Sequence, residues 1–143
     1  MKKEELLAQI DQWRKNMEHQ KIIDAITALP ETERDYVLTC TLAREYNVVN
    51  RFAEAKELLE SVKKEGKGDP NWYFHYAYTL FSLNRFAEAK QAMQQVLKMV
   101  PGNKNAMLLL KSIDVRLDKE EAQKKFGNGL PVDEEKALDY VLN

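Results

Sequence analysis

What the 143-residue chain lacks narrows its chemistry first. It has one cysteine, Cys40, so no internal disulfide forms, and the composition fits a reducing cytoplasm. Only 5 glycines and 4 prolines interrupt it, few enough for helices joined by short turns. Neither sign of charge dominates. The 22 Lys and Arg stand against 23 Asp and Glu, a formal net charge of −1, without the basic excess expected of a nucleic-acid or anionic-membrane binder. No run of 18 apolar residues occurs, which excludes a membrane-spanning helix, and the opening Met1-Lys2-Lys3-Glu4-Glu5 has none of the apolar core of a secretory leader.

Reactive constellations are equally scarce. The two histidines, His19 and His75, are far apart, and there is no H-E-x-x-H, paired-cysteine, nucleophile-elbow or glycine-rich phosphate motif. Carboxylate pairs such as Glu4-Glu5 and Glu134-Glu135 are adjacent in sequence and therefore point to different sides of a helix. The expectation is a protein with no catalytic residues, no metal and no cofactor.

What is present is a duplication. Asn50-Arg51-Phe52-Ala53-Glu54-Ala55-Lys56 recurs letter for letter as Asn84-Arg85-Phe86-Ala87-Glu88-Ala89-Lys90, a period of 34 residues. A fixed period of this size marks a stacked repeat, in which each unit buries its apolar face against its neighbours. Around the second copy, Tyr73, Tyr76, Ala77 and Leu80, then Phe86, Ala89, Met93 and Val96, fall at helical spacing, as do Leu42, Ala43, Tyr46, Phe52, Ala55, Leu59 and Val62 around the first. Two helices per copy are predicted, joined at Asn50 and Asn84, because Asn tolerates the left-handed conformation that ends a helix. Small residues at Ala43, Ala55, Ala77 and Ala89 let helices come close.

The flanks extend the pattern. Leu6, Leu7, Ile10 and Trp13, then Ile22, Ile23, Ile26 and Leu29, predict two helices that form a shorter, degenerate first repeat, with Trp13 as packing. Pro30, followed by Glu31 and Glu33, is expected to open the next helix, running to about Val48. Lys63 to Asp69 reads as a polar, solvated turn, with Asp69-Pro70 restarting the helix. After Pro101-Gly102, Asn103 heads a capping helix with Ala106, Leu109, Leu110 and Ile113. Asp118 to Glu121 extends a charged helix, Phe126-Gly127-Asn128-Gly129 breaks it, and Asp133 starts a short helix with Ala137, Leu138, Val141 and Leu142. The domain reading is a repeat domain over 1–117, with repeats at about 3–29, 31–64 and 70–100 and a capping helix at 103–117. A tail at 118–143 follows, with a helix at 133–142.

The residues Tyr73, Tyr76, Ala77, Leu80, Ala89, Met93 and Pro101, and in the first copy Thr39, Leu42, Ala43, Tyr46, Ala55 and Leu59, resemble the tetratricopeptide repeat. Few letters of the family pattern are identical, but size class is kept, and Lys67 stands where the first copy's proline would be. The resemblance implies an all-α fold, an α-solenoid of antiparallel helix pairs wound as a right-handed superhelix, with about three repeats plus the capping and tail helices. The string from Trp13 to Asn47 also looks like that of small bacterial members, some attached to immunity-type domains.

In the resembled family the first helix of each repeat lines a concave groove. Carried over, that implies Val37, Cys40, Arg44 and Asn47; Asn71, Phe74, Tyr78 and Phe81; and Asn105, Leu108, Ser112 and Val115. Phe74, Tyr78 and Phe81 recur at steps of four and three, making their helix apolar on a second side that must meet something beyond its own repeat. The expected function is a non-catalytic adaptor holding a protein or peptide partner, with aromatic anchors and Arg44 and Asn47 as polar clamps. The alternative is self-assembly, with the tail filling its own or a neighbour's groove, and a weaker one is a chaperone or toxin-immunity component. The family's carboxylate-tail clamp is not reproduced, since Thr41 and His75 occupy its other positions.

Overall fold

The computed structural model describes residues 2–126. Their helices are α1 (Lys3–Lys15), α2 (His19–Thr27), α3 (Tyr36–Val48), α4 (Phe52–Ser61), α5 (Lys63–Gly66), α6 (Pro70–Ser82), α7 (Phe86–Met99) and α8 (Lys104–Phe126), with a 3-10 turn at Glu31–Glu33. No strand occurs among the described residues, so the fold is an all-helical repeat. α1 pairs with α2, α3 with α4 and α6 with α7. Each pair packs on the next, and α3 meets α6, as α6 meets α8. The predicted tail helix at 133–142 lies outside the described residues.

The duplicated heptapeptide encodes one turn twice. Asn50 and Asn84 hold φ of 63° and 62°, in the left-handed region. The amide of Asn50 donates to the Asn47 carbonyl (3.2 Å) and that of Arg51 to Tyr46 (2.8 Å); Asn84 and Arg85 donate likewise to Phe81 (3.0 Å) and Leu80 (2.8 Å). This pair of bonds satisfies carbonyls that a helix end leaves open. The α1–α2 turn closes in the same way, with Met17 at φ 58°, its amide on Arg14 (3.0 Å) and that of Glu18 on Trp13 (2.8 Å). The first hairpin is thus a repeat of the same construction, although a methionine fills the position where asparagine or glycine is cheapest.

Two boundaries differ from the sequence reading. Pro30 opens only the 3-10 turn; α3 begins at Tyr36, where the Asp35 side chain accepts from the Leu38 amide at 2.9 Å and supplies the cap. The stretch 63–69 is not wholly a solvated turn either. It contains the single helical turn α5, and Gly66 is buried against Trp72. A β-carbon on Gly66 would lie 2.7 Å from Trp72 Cδ1 and nearer still to Cγ and Cδ2, so only glycine fits.

The core is continuous from pair to pair. Leu6, Ile10, Ile22, Ile23, Ile26, Leu38, Leu42, Ala55, Leu59 and Trp72 form one cluster, and Ala77, Leu80, Phe86, Ala89, Met93, Val96, Ala106 and Ile113 form the next. Trp72 stacks on Tyr76 (4.8 Å between centroids), and its indole N–H donates to the Leu59 carbonyl at 2.9 Å, joining the second pair to the third. Polar bolts run beside this apolar packing. Glu45, 1% exposed, accepts from Arg14 Nε (3.2 Å) and lies 2.7 Å from His19 Nδ1, tying α3 to both helices of the first pair. Lys3 pairs with Asp35 between α1 and the start of α3, and Lys90 with Asp114 (2.8 Å) between α7 and α8. α8 runs without a break past residue 117, with Ala122 still buried.

Candidate functional site

Stacking α3 beside α6, with α1 alongside, leaves a cavity of about 300 Å³ lined by both apolar and polar side chains. On α3, Val37, Cys40, Thr41 and Arg44 recur at helical spacing and share one wall with Tyr36; α6 and its lead-in supply Asp69, Asn71, Trp72 and His75, and Arg14 closes the α1 side. Asp69 organises this wall. Its Oδ1 accepts from the Asn71 amide (2.9 Å), capping α6, and its Oδ2 accepts from the Tyr36 hydroxyl (2.6 Å).

Burial sets the protonation states. It pushes the Cys40 thiol up to about 11, with Asp69 and Glu65 adding to the shift, and it raises the Tyr36 phenol, which Asp69 holds protonated. Burial brings His75 down to about 4, assisted by the positive charge of Arg44 and Arg14 and opposed by Asp69. At neutral pH the cavity therefore presents a thiol, a phenol and an uncharged imidazole. Arg44 is exposed at its edge and forms no salt bridge among the described residues, whereas Arg14 is engaged by Glu45. Among the described residues no cluster of His, Cys, Asp or Glu could hold a metal.

The groove residues inferred from sequence do not all share this cavity. Val37, Cys40, Arg44 and Asn71 line it. Asn47 does not: it is 5% exposed, with its Oδ1 accepting from the Thr79 hydroxyl at 3.0 Å, so it joins α3 to α6 instead of facing outward. Phe74 and Phe81 are half-buried on the second core cluster, and Phe81 meets Phe86 edge-on at 5.5 Å. The reason is that α6 is central, flanked by α3, α4, α7 and α8, so the second apolar side of this helix is used within the fold. Of the three aromatics Tyr78 stays open, 39% exposed, with its ring edge on Phe52 at 6.4 Å. Asn105 and Ser112 are exposed on α8, Val115 is half-buried, and Leu108 is 63% exposed.

Sequence reasoning missed Arg14, Tyr36 and Asp69 as wall residues, and met His75 only as a clamp position of the resembled family. His75 had a signal, standing four residues after Asn71 and so on the same side of its helix. Asp69 was visible as a stop-and-restart residue, but its bond to Tyr36 spans 33 positions and has no local mark. A larger cavity, about 460 Å³ between the 3-10 turn, α3 and α4, has its basic residue committed: Arg34 donates to the Thr27 (3.0 Å) and Leu29 (2.8 Å) carbonyls, capping α2.

Helix pairs repeated through one left-handed turn, with the first helices side by side around an open polar wall, define a helical-repeat scaffold. Residues 49–113 match the family model of the tetratricopeptide repeat. Over that span the chain is similar to tetratricopeptide repeats, and such repeats generally mediate protein–protein interaction as non-catalytic modules. No curated protein and no solved structure matches the chain. No helix among the described residues is long and apolar enough to cross a membrane.

Proposed function

We propose that this protein is a non-catalytic adaptor that holds a segment of a partner polypeptide across α3 and α6, with the cavity bounded by α1 as its subsite. The observation that supports this most is the wall itself. It joins a guanidinium without a salt bridge among the described residues, Arg44, an exposed amide, Asn71, and a half-buried neutral imidazole, His75, on the first helices of two successive repeats. Tyr78, further along α6, adds an amphipathic anchor of the kind that carries binding energy at interfaces. Leu108 and Asn105 on α8 extend the surface that a longer segment would cross. A single cysteine, held as the thiol, suits a reducing compartment, and we place the module in the cytoplasm.

Panning a displayed random-peptide library on the wild type, on an Arg44→Ala/Asn71→Ala variant and on a Gln91→Ala/Gln94→Ala variant of α7 tests this. The adaptor reading requires a shared motif enriched by the wild type and the α7 variant and lost by the Arg44/Asn71 variant; equal enrichment by all three would refute it. The self-assembly reading, in which residues 127–143 occupy the same surface, is separated by deleting that segment. A fall in mass by light scattering, or peptides enriched only after deletion, favours tail occupancy.

A further inference from the structure

Thr39 leaves a space that its counterpart fills. At the same position of the second copy, 34 residues on, stands Tyr73, a half-buried ring packed against both core clusters. Where the first copy has the smaller side chain, the cavity of about 460 Å³ opens between the 3-10 turn, α3 and α4. Thr39 and Tyr46 share one face of α3, about 10 Å apart along its axis. Each is 8% exposed and lines the cavity, and neither hydroxyl has a hydrogen-bond partner among the described residues. Leu58 on α4 and Val62 just beyond it supply an apolar flank. The charges come from three sides. Glu54 and Glu57 lie on α4 and Glu31 on the 3-10 turn, while Arg34 is occupied by the Thr27 and Leu29 carbonyls. Arg51 bonds Glu54 (2.7 Å) and covers the Tyr46 ring, 4.5 Å from its centroid. Glu31 and Glu57 form no ion pair among the described residues, so three carboxylates face two guanidiniums and negative charge is in excess. In the second copy Tyr73, Leu80 and Gln91 stand where Thr39, Tyr46 and Glu57 do, so three differences between the copies coincide at one cavity.

We propose that this cavity, separate from the α3–α6 surface, takes the basic side chain of a partner polypeptide, a lysine or an arginine. A buried hydroxyl without a partner carries a free-energy cost that an incoming N–H donor removes. Lysine and arginine bring several such donors and no acceptor, on a methylene stem that buries well against apolar neighbours. Here the stem lies along Leu58 and Val62, and the head reaches the Thr39 and Tyr46 oxygens and the Glu57 carboxylate. The positive charge replaces lost hydration with a charge-assisted bond to Glu57. A carboxylate would be repelled by the excess negative charge. A neutral aromatic, the filler that the second copy carries in Tyr73, would occupy the volume and leave Glu57 without a counter-charge. The residues concerned are not those of the α3–α6 wall, so the two assignments stand or fall separately.

The test uses the full chain, isotope-labelled, and nuclear magnetic resonance. Four probes are titrated as their N-acetyl N-methylamides: lysine, arginine, norleucine, which has lysine's stem without its charge, and tyrosine. The expected result is saturable shifts at Thr39, Tyr46 and Glu57 with the lysine or arginine probe and none there with the other two. Glu57→Gln should weaken binding about tenfold, the loss of one charge-assisted hydrogen bond. Thr39→Tyr gives the first copy the second copy's ring and leaves every carboxylate in place, so it should abolish the shifts while a thermal melt shows the fold intact. Should that variant not fold, Thr39→Val keeps the side chain's shape, removes the hydroxyl and should weaken binding about fivefold. Equal shifts with norleucine, a stronger response to tyrosine, binding unchanged in Glu57→Gln or in a folded Thr39 variant, or no shift at the solubility limit would each overturn the proposal. Shifts that fall on Arg44 and Asn71 instead would overturn this assignment alone and leave the adaptor reading standing.

Discussion

Met17 is the place to test whether the first hairpin belongs to the same repeat as the other two. Its φ of 58° matches Asn50 and Asn84, and its side chain is 77% exposed, so replacing it removes no packing. An L-residue other than Gly, Asn or Asp pays about 1–2 kcal/mol in the left-handed region. Asparagine recovers part of that, so Met17→Asn is expected to stabilise the fold by about 0.5–1 kcal/mol, or roughly 2–4 °C in melting temperature. The reciprocal changes Asn50→Met and Asn84→Met should cost about the same. The assay is equilibrium urea unfolding with a common slope for all four proteins, backed by hydrogen exchange of the Glu18 amide, whose bond to Trp13 closes the turn. A neutral or destabilising Met17→Asn together with a harmless Asn84→Met would show that the shared geometry has no energetic meaning and would refute the reasoning.

Three further predictions follow from burial and charge. Gly66→Ala should cost about 1–3 kcal/mol, because its new methyl group enters the Trp72 ring, whereas Gly68→Ala, with open space around it, should be nearly neutral in the same melts. Phe86→Ala should cost about 3–5 kcal/mol from its buried position, and Phe52→Ala about half that, since Phe52 is only half-buried; chemical denaturation separates the two. His75 makes stability depend on pH. Its folded midpoint of about 4 lies below the ordinary 6.5, so the unfolded chain binds more protons between these values. The stability it permits is complete above pH 6.5 and is lost as pH falls to 4, by up to about 3 kcal/mol. His75→Gln should flatten that slope in denaturation series run at pH 7, 5.5 and 4, and an unchanged slope would remove His75 from the account.

The parts of the fold legible in sequence are those set by short-range pattern. The letter-for-letter heptapeptide announced a turn whose φ angles and hydrogen bonds do coincide in the two copies, and apolar spacing located α1 through α4, α6 and α7. Spacing could not show what a helix end does in three dimensions. Pro30 carries the textual mark of a helix start, but Asp35 accepts the capping bond. Met17 carries no mark at all, although it closes the α1–α2 turn with the same φ and hydrogen bonds. The site was legible by half for the same reason. Arg44, Asn71, Val37 and Cys40 are groove positions that the repeat resemblance implies, while Asp69 and Arg14 reach the wall through contacts between elements. Periodicity also cannot tell an outward side chain from one facing a third or fourth neighbour. Asn47, Phe74 and Phe81 were assigned outward and are instead spent on α6's crowded surroundings.

The central claim is that the surface joining α3 and α6 is where this protein holds another polypeptide. Amide-shift mapping with a library-selected peptide tests it most directly. The account predicts that the largest shifts cluster at Arg44, Asn71, His75 and Tyr78 and leave the Gln91, Gln94 and Lys98 face of α7 unmoved. Shifts concentrated on α7, or spread evenly over the helices, would contradict it.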